Sequence, residues 1–194
     1  HVEQDSRFLA PIRAGDVLVA RAKVVSARAS RAGAVVTTEF ALTREDDGGP
    51  VAISRSVSVY RGVALEGQSS GPDPEAEPEI DWSAAERETL TFSRGFPHVY
   101  SEAAEIWNPI HTERAVAKAA GLDDIIIHGT ALWAMAALRL RGPDPRRLQR
   151  LRGRFRSPIV PGTRVDLQQT QVRAETYYRL LDARGVTAVQ GSAS

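Results

Sequence analysis

The 194-residue chain contains no cysteine, which excludes disulfides, thiolate metal sites and cysteine nucleophiles together. Lysine is nearly absent as well. Lys23 and Lys118 are the only two, so the positive charge is carried by arginine. Charge of one sign does not dominate: 25 basic residues face 24 acidic ones, a net charge of +1. No strong field therefore draws the chain to nucleic acid or to an acidic surface. No apolar run approaches the roughly 20 residues of a membrane span, and no signal-peptide pattern is visible. These absences predict a globular cytoplasmic protein with no nucleic-acid or membrane partner. The first residue is His1 rather than Met, which reads as a processed or incomplete end. The length allows one large or two small domains.

Helix is lacking from the first third of the chain. Residues 1–7 read as irregular, and residues 8–15 as a strand end and turn punctuated by Pro11 and Gly15. Valine-rich alternation predicts strands over residues 17–27, 34–43 and 51–63, with Asp46-Asp47-Gly48-Gly49 as a hairpin turn. Residues 67–79 are a Pro/Gly/Ser/Glu tract with too little apolar surface to order itself, and are expected to be a linker. The predicted division is 1–66, the linker 67–79, and 80–194.

The second section mixes periods. A strand is expected over residues 88–93, a short helical piece over 101–106, and a helix capped by Thr112 that ends at Gly121. Residues 130–141 are apolar almost all round, which predicts a buried helix about 18 Å long, with Trp133 and Met135 in the core. Strands follow over 148–155, 164–174, 177–181 and 186–191. The run Phe8-Leu9-Ala10-Pro11-Ile12-Arg13-Ala14-Gly15 reappears as Phe155-Arg156-Ser157-Pro158-Ile159-Val160-Pro161-Gly162, with Phe, Pro, Ile and Gly at the same spacing. Each copy leads into strands, so duplication of one unit is expected.

Two short runs carry the chemistry. Trp107-Asn108-Pro109-Ile110-His111 presents a histidine just after a proline-stiffened corner. Ile127-His128-Gly129-Thr130 places a glycine at the mouth of the apolar helix, where backbone N–H groups are free to meet a developing oxyanion. Arg152, Arg154 and Arg156 share one strand face, either as a solvated row or as a contact for phosphates.

A curved antiparallel sheet around one buried helix is the hot-dog arrangement. The run Tyr100-Ser101, Asn108-Pro109-Ile110-His111, Ala117, Ala119-Ala120-Gly121 and His128-Gly129 resembles the MaoC-like dehydratases, the (R)-specific enoyl-CoA hydratases. The resemblance covers about residues 88–192. The first section resembles the degenerate hot dog that often precedes such a domain. What this implies is an α+β double hot dog in which curved antiparallel sheets each wrap a central helix, the first helix being missing or upstream of residue 1. It further implies reversible hydration of a trans-2-enoyl thioester to a 3-hydroxyacyl thioester, on coenzyme A or a carrier protein, with no metal or cofactor. A homodimer, or a heteromer with another hot-dog chain, is the expected assembly.

The family pattern is Asp-x-Asn-Pro-x-His, with Asp and His as the acid/base pair. His111 and Asn108 match, and the Asp position is Ile106. Isoleucine transfers no proton. Glu105 is the candidate replacement, with Glu102 one turn earlier. The expected catalytic set is therefore His111, Glu105, Asn108 and the Gly129 N–H. Tyr100, Ile106, His128, Thr130 and Arg154 are the expected substrate contacts. The missing Asp also supports a different expectation, a non-catalytic hot-dog subunit that binds acyl-CoA or supports a catalytic partner chain.

Overall fold

The computed structural model describes residues 1–72, 75–140 and 148–194. Within the described residues nine strands form one antiparallel sheet: β1 (Glu3–Phe8), β2 (Leu18–Ser30), β3 (Gly33–Arg44), β4 (Pro50–Arg61), β5 (Glu86–Thr91), β6 (Arg150–Phe155), β7 (Arg164–Val172), β8 (Glu175–Leu181) and β9 (Thr187–Ala193). Their order across the sheet is β2-β3-β4-β1-β6-β9-β8-β7-β5. Among the described residues three helices, α1 (Phe96–Ala104), α2 (Arg114–Ala119) and α3 (Gly129–Leu140), and a 3-10 turn over Pro109–His111 all fall between β5 and β6. Among the described residues no helix is long and apolar enough to cross a membrane.

The two expected sheets are continuous, because β1 pairs with both β4 and β6. At that seam Asp5 faces Arg152, its own counterpart in the Phe-x-x-Pro-Ile repeat. The repeat extends to the backbone. Leu9 and Ala10 both donate to the Val51 carbonyl, as Arg156 and Ser157 both donate to that of Ala188. Gly15 and Gly162 share a left-handed backbone, with φ 93° and 84°. The environments differ: Ile12 is 50% exposed while Ile159 is 1% exposed. Ile159 lies beneath the loop that leads to α3, where its carbonyl accepts from the Ile127 N–H at 2.8 Å.

Residues 3–8 form a strand although residues 1–7 read as irregular. Glu3, Asp5 and Arg7 alternate with the polar Gln4 and Ser6, so neither face looks apolar in sequence. Both faces are satisfied by partners far along the chain. Ser6 and Gln4 bond the Ser54 hydroxyl, Asp5 accepts two bonds from Arg150, and Glu3 accepts from Arg152 and Arg154.

The tract expected to be an unordered linker is held against the same face, in its described part. Ser70 makes a two-bond bridge with Ala27, and its carbonyl also accepts from the Ser26 hydroxyl. Glu75 pairs with Arg150 and Arg152, and Glu77 with Arg154 and Arg156. Trp82 lies under Arg179, 4.4 Å from ring centroid to guanidinium. Ion pairs to a distant arginine row order this tract in place of apolar burial.

The main core lies between α3 and the second half of the sheet. Ala131, Leu132 and Ala136 pack on Leu151, Val165, Leu167, Tyr178, Leu180, Ala188 and Val189. Close approach depends on glycine: a Cβ on Gly153 would lie 2.5 Å from the Trp133 ring. The helix is not buried all round as its composition suggested. Ala134 is exposed and Leu138 is 49% exposed, because the sheet covers one side of α3. The expected helix end at Arg141 lies outside the described residues.

Candidate active site

The helical segment begins earlier than its sequence pattern suggested. Pro97 sits in the first turn of α1, and Glu105 closes the helix with φ 53° and ψ 38°. That left-handed residue turns the chain, so Ile106 and Glu105 face different ways. The Asn-Pro corner follows. Asn108 is extended, with φ −112° and ψ 116°, and its side-chain oxygen accepts the Ile110 N–H at 3.3 Å, capping the 3-10 turn that ends in His111. Thr112 closes that turn, and Glu113 rather than Thr112 is the N-cap of α2.

His111 is buried. Its Nδ1 lies 2.8 Å from the Ile126 carbonyl oxygen. A carbonyl only accepts, so Nδ1 carries the proton and Nε2 is left as an acceptor. Burial holds the His111 pKa below its usual value, partly opposed by the Ile126 bond. The His128 ring stacks on it, with centroids 3.6 Å apart and planes at 20°. His128 is 2% exposed, and its Nε2 is 3.2 Å from the buried Ser101 hydroxyl. Burial, followed by the neighbouring His111, pushes its pKa down to about 4. The Tyr100 ring also packs against His128, with centroids 4.8 Å apart, and its hydroxyl donates to Thr130 at 3.2 Å.

These groups open onto a cleft of about 620 Å³. Ile106, Asn108, His111, His128, Gly129 and Thr130 all line it, with Phe155 at the end of β6, Arg156 just after it and Arg61 at the end of β4. Gly129 is the first residue of α3. A Cβ there would lie 2.7 Å from the Phe155 ring, so glycine lets the helix start come up against that wall. Among the described residues that line the cleft, none carries a carboxylate. The arrangement offers a neutral imidazole as base, and backbone N–H groups at a helix start as oxyanion donors.

A family model described as "MaoC like domain" matches residues 98–188. Those residues form a MaoC-like domain. Over 185 residues the chain is 24% identical to a Dictyostelium discoideum protein named "Probable enoyl-CoA hydratase 2". That match takes in 91% of this chain and 62% of the relative, so the chain spans about three fifths of the relative's length. A MaoC-like dehydratase from Phytophthora capsici superposes with a TM-score of 0.90 at 25% identity, over 100% of this chain and 70% of that one. The full-length peroxisomal multifunctional enzyme type 2 from Drosophila melanogaster shares the fold, with a TM-score of 0.80 at 20% identity. This chain is covered completely in that superposition, and 36% of the fly chain is.

The MaoC-like domain thus brings His111, Asn108, Gly129, Ile106, His128 and Thr130 to one cleft and leaves three expected residues outside its lining. Glu105 is exposed at the end of α1, because the left-handed turn carries it away from Ile106. Tyr100 stands behind the wall, against His128 and Thr130. Arg154 pairs with Glu3 and Glu77 on the sheet face opposite α3. Two residues further on the chain has left β6, and Arg156 reaches the cleft. Sequence reading gave Ser101, the Ile126 carbonyl and Arg61 no part in the site. Ser101 stood in the recognised run, but neither its bond to His128 nor any role for Arg61 has a local signal.

Proposed function

We propose that the chain hydrates a trans-2-enoyl thioester reversibly, on coenzyme A or a carrier protein. His111 acts as the proton-transfer group and the Gly129 N–H stabilises the thioester oxyanion. The observation that carries this reading is the convergence of the His111 ring and the first residue of α3 on one cleft. Water adds at C3 while electrons move to the carbonyl oxygen, so a base and an oxyanion donor are the two groups required. Arg61 and Arg156 supply the cationic mouth that a phosphate-bearing carrier needs. Assembly as a homodimer, or with another hot-dog chain, belongs to the same reading.

The test is loss of the conjugated thioester absorbance with crotonyl-CoA and a longer enoyl-CoA. His111→Ala is expected to lower kcat by on the order of 10² to 10⁴-fold. Activity unchanged in that variant overturns the reading. A second reading is favoured by Ile106, which lines the cleft in place of the family carboxylate. It makes the chain a non-catalytic subunit, and its mark is activity that emerges only when a partner chain is added.

A further inference from the structure

We propose that His111 alone moves both protons of the hydration, with no carboxylate partner. This rests on the hydratase reading above and concerns how the same site works without the family's acid/base pair.

Four observations converge. Ile106 lines the cleft and is 37% exposed, so the side chain of the substituted position is in the site and inert. Of the neighbouring carboxylates, Glu102, Glu105, Glu113 and Asp123 are exposed, and none of them lines the cleft. Asp124 accepts from Arg114 and from the Ile125 N–H, each at 2.8 Å. Finally, Nδ1 of His111 is committed to Ile126, which leaves one nitrogen, Nε2, for both proton acceptance and donation.

The surroundings favour rapid turnover of that proton. The titratable and charged groups around the ring are His128 from the start of α3 and, around the cleft, His1, Arg61 and Arg156. From α1 come Tyr100 and Ser101, both against His128, and His98, whose Nε2 lies 3.2 Å from the Thr112 carbonyl oxygen. All are neutral or cationic, so among the described residues that line the cleft no anion holds the imidazolium. Burial disfavours it as well. A base that accepts a proton and is not stabilised in the charged form gives it up readily.

The steps balance with water as the sole co-reactant. A water O–H bond breaks and its proton goes to Nε2 of His111. The oxygen bonds C3 as the C2=C3 pair shifts, leaving negative charge on the thioester oxygen beside the Gly129 N–H. The enolate then collapses, and C2 takes the proton from Nε2, restoring the neutral ring. Both hydrogens of the product come from one water through one nitrogen.

The experiment is the pH dependence of kcat/KM for crotonyl-CoA, measured on the intact chain alone from about pH 5 to about pH 9. Expected is a single acid limb below the ordinary histidine value of about 6.5 and a flat plateau above it. His111→Gln is expected to lose on the order of 10² to 10⁴-fold. Glu102→Gln, Glu105→Gln, Glu113→Gln, Asp123→Asn and Asp124→Asn should each change kcat by less than about threefold, since none supplies the 10²-fold or more of a proton-transfer group. Ile106→Asp should add a second limb. A bell-shaped wild-type profile, or a loss of about 100-fold in any amide variant, overturns the single-histidine route and leaves the hydratase reading standing. Absence of wild-type hydration overturns both. The wild-type profile does not depend on any variant folding, and far-UV circular dichroism checks His111→Gln.

Discussion

Acidification to about pH 5 should destabilise the chain through one ring. His128 is 2% exposed, and its pKa is about 4 in the folded state. In the unfolded chain the ordinary value is about 6.5. The folded form stays neutral where the unfolded form takes a proton, so stability is complete above about pH 6.5 and falls as pH drops towards 4. Linkage gives a loss of about 2 kcal/mol at pH 5, rising to about 3 kcal/mol below pH 4. For a chain of this size the pH 5 figure corresponds to about 4–8 °C in Tm. His111 shifts in the same direction and adds to the effect. Carboxylates act in a lower window. Burial would raise the Asp5 carboxyl, but the paired bonds from Arg150 together with the charges of Arg150, Arg152 and Arg7 more than offset it, so its contribution is lost only as pH falls below the usual carboxylate range. Denaturant unfolding at about pH 7.5 and about pH 5, on wild type and His128→Gln, isolates the ring. The variant keeps a polar partner for Ser101 and should lose most of the acid sensitivity. Equal sensitivity in the two proteins, within about 0.5 kcal/mol, refutes the assignment of that pKa to a buried neutral ring.

Two further outcomes follow from the geometry. A Cβ on Gly191 would lie 1.8 Å from the Arg152 carbonyl oxygen, a backbone atom that cannot rotate away. Gly191→Ala should therefore force β6 and β9 apart and cost about 3 kcal/mol or more, read as a fall in the denaturation midpoint. The Arg61→Ala/Arg156→Ala double variant should raise KM for crotonyl-CoA by about tenfold, the equivalent of roughly 1.4 kcal/mol of charge-assisted bonding. It should leave the reaction of an uncharged short-arm thioester unchanged, and an equal effect on both substrates would deny these arginines a phosphate role.

Much of this was legible locally. Valine-rich alternation marks β2, β3 and β4, and the Asn-Pro corner announces the turn that presents His111, because proline restricts its own φ and the residue before it. His128-Gly129 marks the start of α3 because the apolar run begins there, whereas the fit of Gly129 against Phe155 is tertiary. Strand β1 was not legible. Its residues are polar on both faces, and their partners Arg150, Arg152, Arg154 and Ser54 are remote in sequence.

The sequence by itself determined the strands other than β1, the apolar helix and the two runs that hold the chemistry, because period, proline and glycine act over a few residues. Tertiary structure alone decided which arginine reaches the cleft, that Glu105 does not, and that two histidines stack. Those outcomes depend on where a strand ends, on one left-handed residue and on the distance between segments 17 positions apart in the chain, His111 and His128. The tract over residues 67–79 shows the same division. Its composition excludes an apolar core, but the ion pairs that order its described part arise only once the sheet has aligned the arginine row.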